Sequence, residues 1–221
     1  MRLFFHAILK YTAGVLITGL LLFLPAGTVR WRAGWMFMCL LFIPMLIAGL
    51  MMLVKNPDLL RIRLEAKEKQ DAQKAVLRWS GLMFAAGFLL AGLNFRFSWL
   101  TLPSWLRRTA GIVFLIAYLL YMEILRENAY LSRTIRVQAG QKVIDTGLYG
   151  IVRHPMYAIT LPLFLSMPLM LGSPQSFLVF LIYPTIICKR IRHEEQLLKA
   201  ELPGYPEYCK RVRYRLIPGI W

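Results

Sequence analysis

Between Pro155 and Cys188 the chain runs for 34 residues without one charged side chain. A bilayer-spanning helix takes about 20 apolar residues, so this run is too long for one crossing and slightly short for two full ones. Gly172 and Ser173 followed by Pro174 stand near its middle, and their turn chemistry predicts a tight helical hairpin. Ahead of it lie four more apolar runs, Phe4–Leu24, Ala33–Val54, Trp79–Phe95 and Thr109–Met122, the last with an extension toward Leu131. Pro44, Pro162, Pro168 and Pro184 fall inside these runs. Each removes a backbone donor, which predicts kinks supported by neighbouring helices or an aqueous cavity.

The chain is 58% hydrophobic with a mean hydropathy of +0.54, more apolar surface than a water-soluble fold of this size can hide. The expected fold is an all-α integral membrane protein with about six hydrophobic helices, four spans plus a C-terminal helical hairpin. We read one compact body with two regions: residues 1–136, transmembrane helices and a basic loop, and residues 137–221, the chemistry-bearing part. Arg2 and Lys10 ahead of the first apolar run give it the look of a secretory leader. Its poor cleavage region and the spans that follow favour a retained helix.

The formal charge is +16, but Lys and Arg sit between the apolar runs and not on a dedicated basic domain. Anionic lipid headgroups, and not nucleic acid, are the expected counter-charge. With the N-terminus inside, 22 basic residues fall on the cytoplasmic side against five outside, Arg30, Arg32, Arg96, Arg107 and Arg108. That asymmetry predicts both termini in the cytoplasm and residence in the inner (cytoplasmic) membrane. Lys55–Arg78 mixes both charge signs with Leu59, Leu60, Ile62 and Leu64, the pattern of an amphipathic helix on the inner leaflet. Cys39, Cys188 and Cys209 are odd in number and lack metal-site spacing, which argues against disulfides and a metal centre.

Chemistry concentrates after Val143. The polar loop Asp145–Gly150 leads into Arg153, His154, Pro155, Met156 and Tyr157 at a membrane entry. Gly147 and Gly150 allow close backbone approach to a ligand, and Pro155 suits the first turn of a helix. After the hairpin, Arg190 and Glu194 stand at i and i+4, with Arg192 and Glu195 beside them. Taken alone, such a pair is a solvated surface contact, and a lone histidine at a helix start is a cap. A hairpin, however, returns the second cluster to the side the first one left, so both can wall a single pocket at the inner interface.

Three segments in this order, TGLYGIVRHPMY (Thr146–Tyr157), RIRHEEQLL (Arg190–Leu198) and GYPEYCKRV (Gly204–Val212), resemble the C-terminal half of isoprenylcysteine carboxyl methyltransferases and their bacterial relatives. They are similar also to phospholipid N-methyltransferases. The resemblance covers Val137–Pro218. It implies methyl transfer from S-adenosylmethionine held in a cytoplasmic pocket without a Rossmann fold, and the chain has no GxGxxG loop that would suggest one. It also implies that Gln141, Lys142, Val143, Ile144, Tyr149, His154, Pro155, Met156, Tyr157, Glu194 and Glu195 bind the cofactor. Arg190 would act on the acceptor, with Arg192 competing for that assignment. The acceptor expected is a lipid-embedded small molecule or a prenylated carboxylate; a phospholipid amine or another isoprenoid fits the same chemistry. An NADPH-dependent membrane reductase and a non-enzymatic membrane scaffold are the alternatives from other classes.

Overall fold

A computed structural model describes residues 2–64, 71–128, 130–131, 137–138 and 140–221, without the side chains of 2 and 71–73. Every regular element among them is helical. Four long helices, α1 (Arg2–Ala26), α2 (Arg32–Lys55), α4 (Asp71–Phe97) and α5 (Ser104–Glu127), are long and apolar enough to cross a membrane. At 1.5 Å per residue each extends roughly 36 Å, more than the ~30 Å hydrocarbon layer. Their outward faces carry bare apolar side chains, such as Phe5, Leu9, Leu16 and Leu20 on α1 and Ile112, Ile116 and Leu119 on α5. A surface of this kind is covered by lipid.

The anticipated spans sit inside these helices. α5 starts earlier than the apolar run, so Arg107 and Arg108 belong to its first turns, and it stops at Glu127 short of Leu131. The expected amphipathic helix over Lys55–Arg78 is described only in part. Asn56 caps α2 and opens α3 (Pro57–Leu64), its side chain accepting from Leu59 N, and α4 begins at Asp71. Residues 65–70 between them, and the region boundary at 136, lie outside the described residues.

The 34-residue run does turn back on itself, with one break. The first leg is α6 (Pro155–Leu171), which packs along α5. Gly172, at φ 80°, ends it in the left-handed conformation that a side-chain-bearing residue resists. Gly172 N donates to Leu169 O and Ser173 N to Pro168 O, the paired closure that satisfies a helix end. Ser173 then caps the next helix, its hydroxyl accepting from Ser176 N. Buried Asn94 ties this turn to the α4–α5 loop by donating to both Gly172 O and Leu100 O.

The return leg consists of two helices, α7 (Pro174–Phe180) and α8 (Tyr183–Glu201). Pro184 falls in the first turn of α8 and marks the break, whereas Pro44, Pro162 and Pro168 stay inside continuous helices. α8 leaves the apolar layer and carries the charged cluster outward. Short helix α9 (Tyr205–Arg211) and the tail follow it back over the start of α6.

Candidate functional site

The loop before α6 is pinned at several points. Residues Gly147–Gly150 form one 3-10 turn, with Tyr149 N donating to Thr146 O. Gly147 has φ 49°, and a Cβ there would run into the Glu127 carboxylate; Glu127 also accepts from the Thr146 hydroxyl at 2.8 Å. The end of α5 therefore docks directly onto the turn. Tyr149 is held at both ends: its hydroxyl accepts from Asn128 Nδ2 at 2.9 Å, and its carbonyl accepts from the Tyr208 hydroxyl at 2.7 Å.

Behind the turn lies a buried charge cluster. Glu195, with its side chain 3% exposed, accepts from Arg153 Nε at 2.7 Å and from Arg215 Nε at 2.8 Å. His154 Nε2 stands 3.4 Å from the same carboxylate. Arg153 also donates to the carbonyls of Val212 and Arg213, while the backbone amides of Arg153 and His154 donate to Tyr214 O and Arg215 O. Arg153 thus joins the α6 entry, α8 and the tail into one unit.

Burial on its own would raise the Glu195 carboxyl. The neighbouring side chains of His154, Arg153 and Arg215 outweigh it and hold the group at about 2, against an ordinary 4.5. A carboxyl that ionises more readily folded than unfolded stabilises the fold when charged. Its contribution is complete above about pH 4.5 and is withdrawn as the pH falls toward 2. In an acid titration of thermal stability, the wild type should lose stability through that window. Glu195→Gln should show a flatter profile there, and parallel profiles would remove Glu195 from the acid response.

In front of the cluster opens a cleft of about 850 Å³, mouth included. It receives Gln141, Lys142, Val143, Ile144, Tyr149, His154, Pro155, Met156, Tyr157, Arg190 and Glu194. Residues 37 positions apart in sequence meet here: the Tyr157 hydroxyl donates to Glu194 Oε2 at 2.6 Å and accepts from Arg190 Nε at 2.8 Å. The guanidinium of Arg190 also lies 5.9 Å from the centre of the Tyr157 ring. The i, i+4 pair on α8 is therefore bridged through a residue of α6. Arg190 is buried, whereas Arg192 points to the exposed side of α8. Glu195 is not part of the cleft lining; it anchors the wall from behind.

Several lining residues carried no role in the sequence reading. Asn128 follows α5, Leu197, Leu198 and Leu202 continue the inward face of α8, and Tyr205 and Tyr208 come from α9. The Gly-Tyr-Pro start and i, i+3 tyrosines of α9 were a usable signal; Asn128 offered none. Burial raises the phenols of Tyr149, Tyr205 and Tyr208 above their ordinary range, so they act as neutral donors and aromatic faces. The Tyr205 hydroxyl is a buried polar atom without a hydrogen-bond partner among the described residues, and His154 Nε2, facing Glu195 at 3.4 Å, makes an ionic contact and not a hydrogen bond.

Comparison with known proteins adds two findings. Over 91 residues the chain is 33% identical to the mouse (Mus musculus) Delta(14)-sterol reductase TM7SF2, an alignment covering 40% of this chain and 22% of that protein. The chain thus spans about a fifth of that relative's length. The model of the isoprenylcysteine carboxyl methyltransferase (ICMT) family matches residues 109–200. That match runs from within α5 to the end of α8 and takes in Tyr157, Arg190 and Glu194 of the cleft.

Proposed function

We propose that this protein is a membrane-embedded, S-adenosylmethionine-dependent methyltransferase acting on a lipophilic acceptor, in the manner of an isoprenylcysteine carboxyl O-methyltransferase. The observation that carries the reading is the Arg190–Tyr157–Glu194 array in the cleft wall. The unpartnered Tyr205 hydroxyl, with His154 in the same lining, suits a ligand with amino, carboxylate and ribose groups. Five tyrosine rings line the same space and offer faces to a sulfonium cation. The bound cofactor would supply a methyl carbon that forms a bond to the acceptor oxygen as its bond to sulfur breaks, the electron pair remaining on sulfur.

The protein's part in this is binding, alignment and exclusion of water. Glu194 accepts hydrogen bonds from the cofactor's hydroxyl or amino groups, and His154 holds its methionyl end. Arg190 neutralises and orients an acceptor carboxylate. Leu197, Leu198 and Leu202 keep the reacting atoms dry. In-line displacement between aligned groups needs no covalent enzyme nucleophile.

A second reading, an NADPH-dependent membrane reductase, draws support from the identity to the sterol reductase. It asks the cleft for a cation to receive an additional phosphate. Arg153 is engaged by Glu195 and Arg190 by Tyr157, which leaves exposed Lys142 for that duty. Thermal stabilisation of the purified protein by S-adenosylhomocysteine and by NADPH separates the two readings. S-adenosylhomocysteine should stabilise, and His154→Ala and Glu194→Ala should each weaken its binding by about fivefold or more. Stabilisation by NADPH alone would overturn the methyltransferase reading.

A further inference from the structure

The end of the bundle opposite the cleft carries a second cavity, of about 940 Å³ with its mouth included. It lies between the start of α2, the end of α4, the loop before α5 and the hairpin turn at Leu171 and Gly172. Arg30, Arg32 and Arg107 line it. Asn94, also in the wall, has both amide hydrogens committed to Leu100 O and Gly172 O, so it fixes the wall and leaves the arginines as donors.

No carboxylate lines this cavity among the described residues, and the full sequence sharpens the point. All eleven Asp and Glu fall within Asp58–Asp71, Glu123–Asp145 and Glu194–Glu207. Those stretches adjoin the ends of α2, α4, α5 and α8 that face the cleft. Among the described residues the far end thus holds five arginines and no carboxylate. Guanidinium groups gathered at one cavity repel each other until an anion sits among them. The planar fork of each matches phosphate oxygens two at a time.

The surroundings indicate what carries the phosphate. Trp35, Trp99 and Trp105 are exposed at this end and Trp31 lies buried beneath. Tryptophan at a span terminus settles at headgroup depth, so the cavity opens where lipid phosphates lie. We infer that Arg30, Arg32 and Arg107 form a binding site for the phosphate of an anionic phospholipid headgroup. It is separate from the cleft, about 25 Å away at the opposite end of α6 by its helical rise.

The test uses the full chain in a neutral detergent, offered dioleoyl phosphatidylglycerol, dioleoyl phosphatidylcholine or inorganic phosphate. Native mass spectrometry counts retained lipid, and the thermal midpoint is followed in parallel. One phosphatidylglycerol per chain should be retained, with an apparent affinity about tenfold above that for phosphatidylcholine. Arg30→Gln/Arg32→Gln/Arg107→Gln should abolish the preference, and Arg107→Gln alone, kept in case the triple variant misfolds, should weaken it about threefold. Arg108→Gln removes a charge beside the cavity and should leave the preference intact. Unchanged preference in Arg107→Gln and the triple variant, or an equal loss in Arg108→Gln, overturns the site. Inorganic phosphate raising the midpoint as much as the lipid overturns the headgroup assignment.

Discussion

Glu195→Ala should destabilise the folded protein by about 3–5 kcal/mol, the usual cost of removing one partner from a buried ion pair. The size of the effect comes from what remains behind. Arg153, 7% exposed at its side chain, would keep two backbone carbonyls but lose its counter-charge. Arg215 would lose its carboxylate too, and with it a link between the tail and α8. Because the backbone amides of Arg153 and His154 bind the tail directly, the loosened tail would expose the α6 entry. Equilibrium unfolding in mixed detergent micelles measures the loss, with Glu195→Gln as the companion variant. The glutamine preserves volume and an acceptor oxygen, so a charge-based role predicts that it falls nearly as far as alanine. Two variants within 1 kcal/mol of wild type, the range of a surface ion pair, would contradict the account.

How much of this was legible in the sequence depends on the range of the interaction. The spans were readable because lipid-facing helices announce themselves by composition and length alone, and α1, α2, α4 and α5 enclose the apolar runs. The hairpin turn was readable because Gly172, Ser173 and Pro174 each have a local backbone reason to be there. Proline was more ambiguous. Pro162 and Pro168 sit within a helix supported along its length by α5, and Pro184 divides α7 from α8; packing, which no local pattern encodes, makes the difference. At the cleft, the meeting of Tyr157 with Arg190 and Glu194 followed from the hairpin geometry, since a charge-free loop must return to its own side. The separation of Glu194 from Glu195 did not follow. Adjacent residues on a helix point about 100° apart, and only the positions of Arg153 and Arg215 reveal that Glu195 faces them and not the cleft.

The same helical geometry sets the two candidate arginines in different surroundings. Arg190 is buried on the cleft side of α8 and bonded to Tyr157, and Arg192, two residues on, is exposed. If Arg190 orients the acceptor, Arg190→Ala should lower methyl transfer about 100-fold, since small errors in alignment at the reacting centre carry losses of that order. Arg192→Ala should stay within about twofold of wild type, as expected for an exposed cation. Arg190→Lys distinguishes charge from shape. Lysine retains the positive charge but cannot reproduce the planar fork, so a partial rescue would assign part of the effect to charge alone. Tyr157→Phe probes the bridge, because it removes one hydroxyl that donates to Glu194 and accepts from Arg190. Hydrogen bonds to charged groups are worth about 1.5–3 kcal/mol, so transfer should drop about 10- to 100-fold with the ring still in place. Measuring S-adenosylhomocysteine affinity beside turnover divides the roles. An acceptor-side arginine leaves that affinity nearly intact while turnover falls, whereas the bridge variant, by releasing Glu194, should weaken both. Full transfer by Arg190→Ala would remove the guanidinium from the chemistry, and the α6–α8 array would then be a structural clamp.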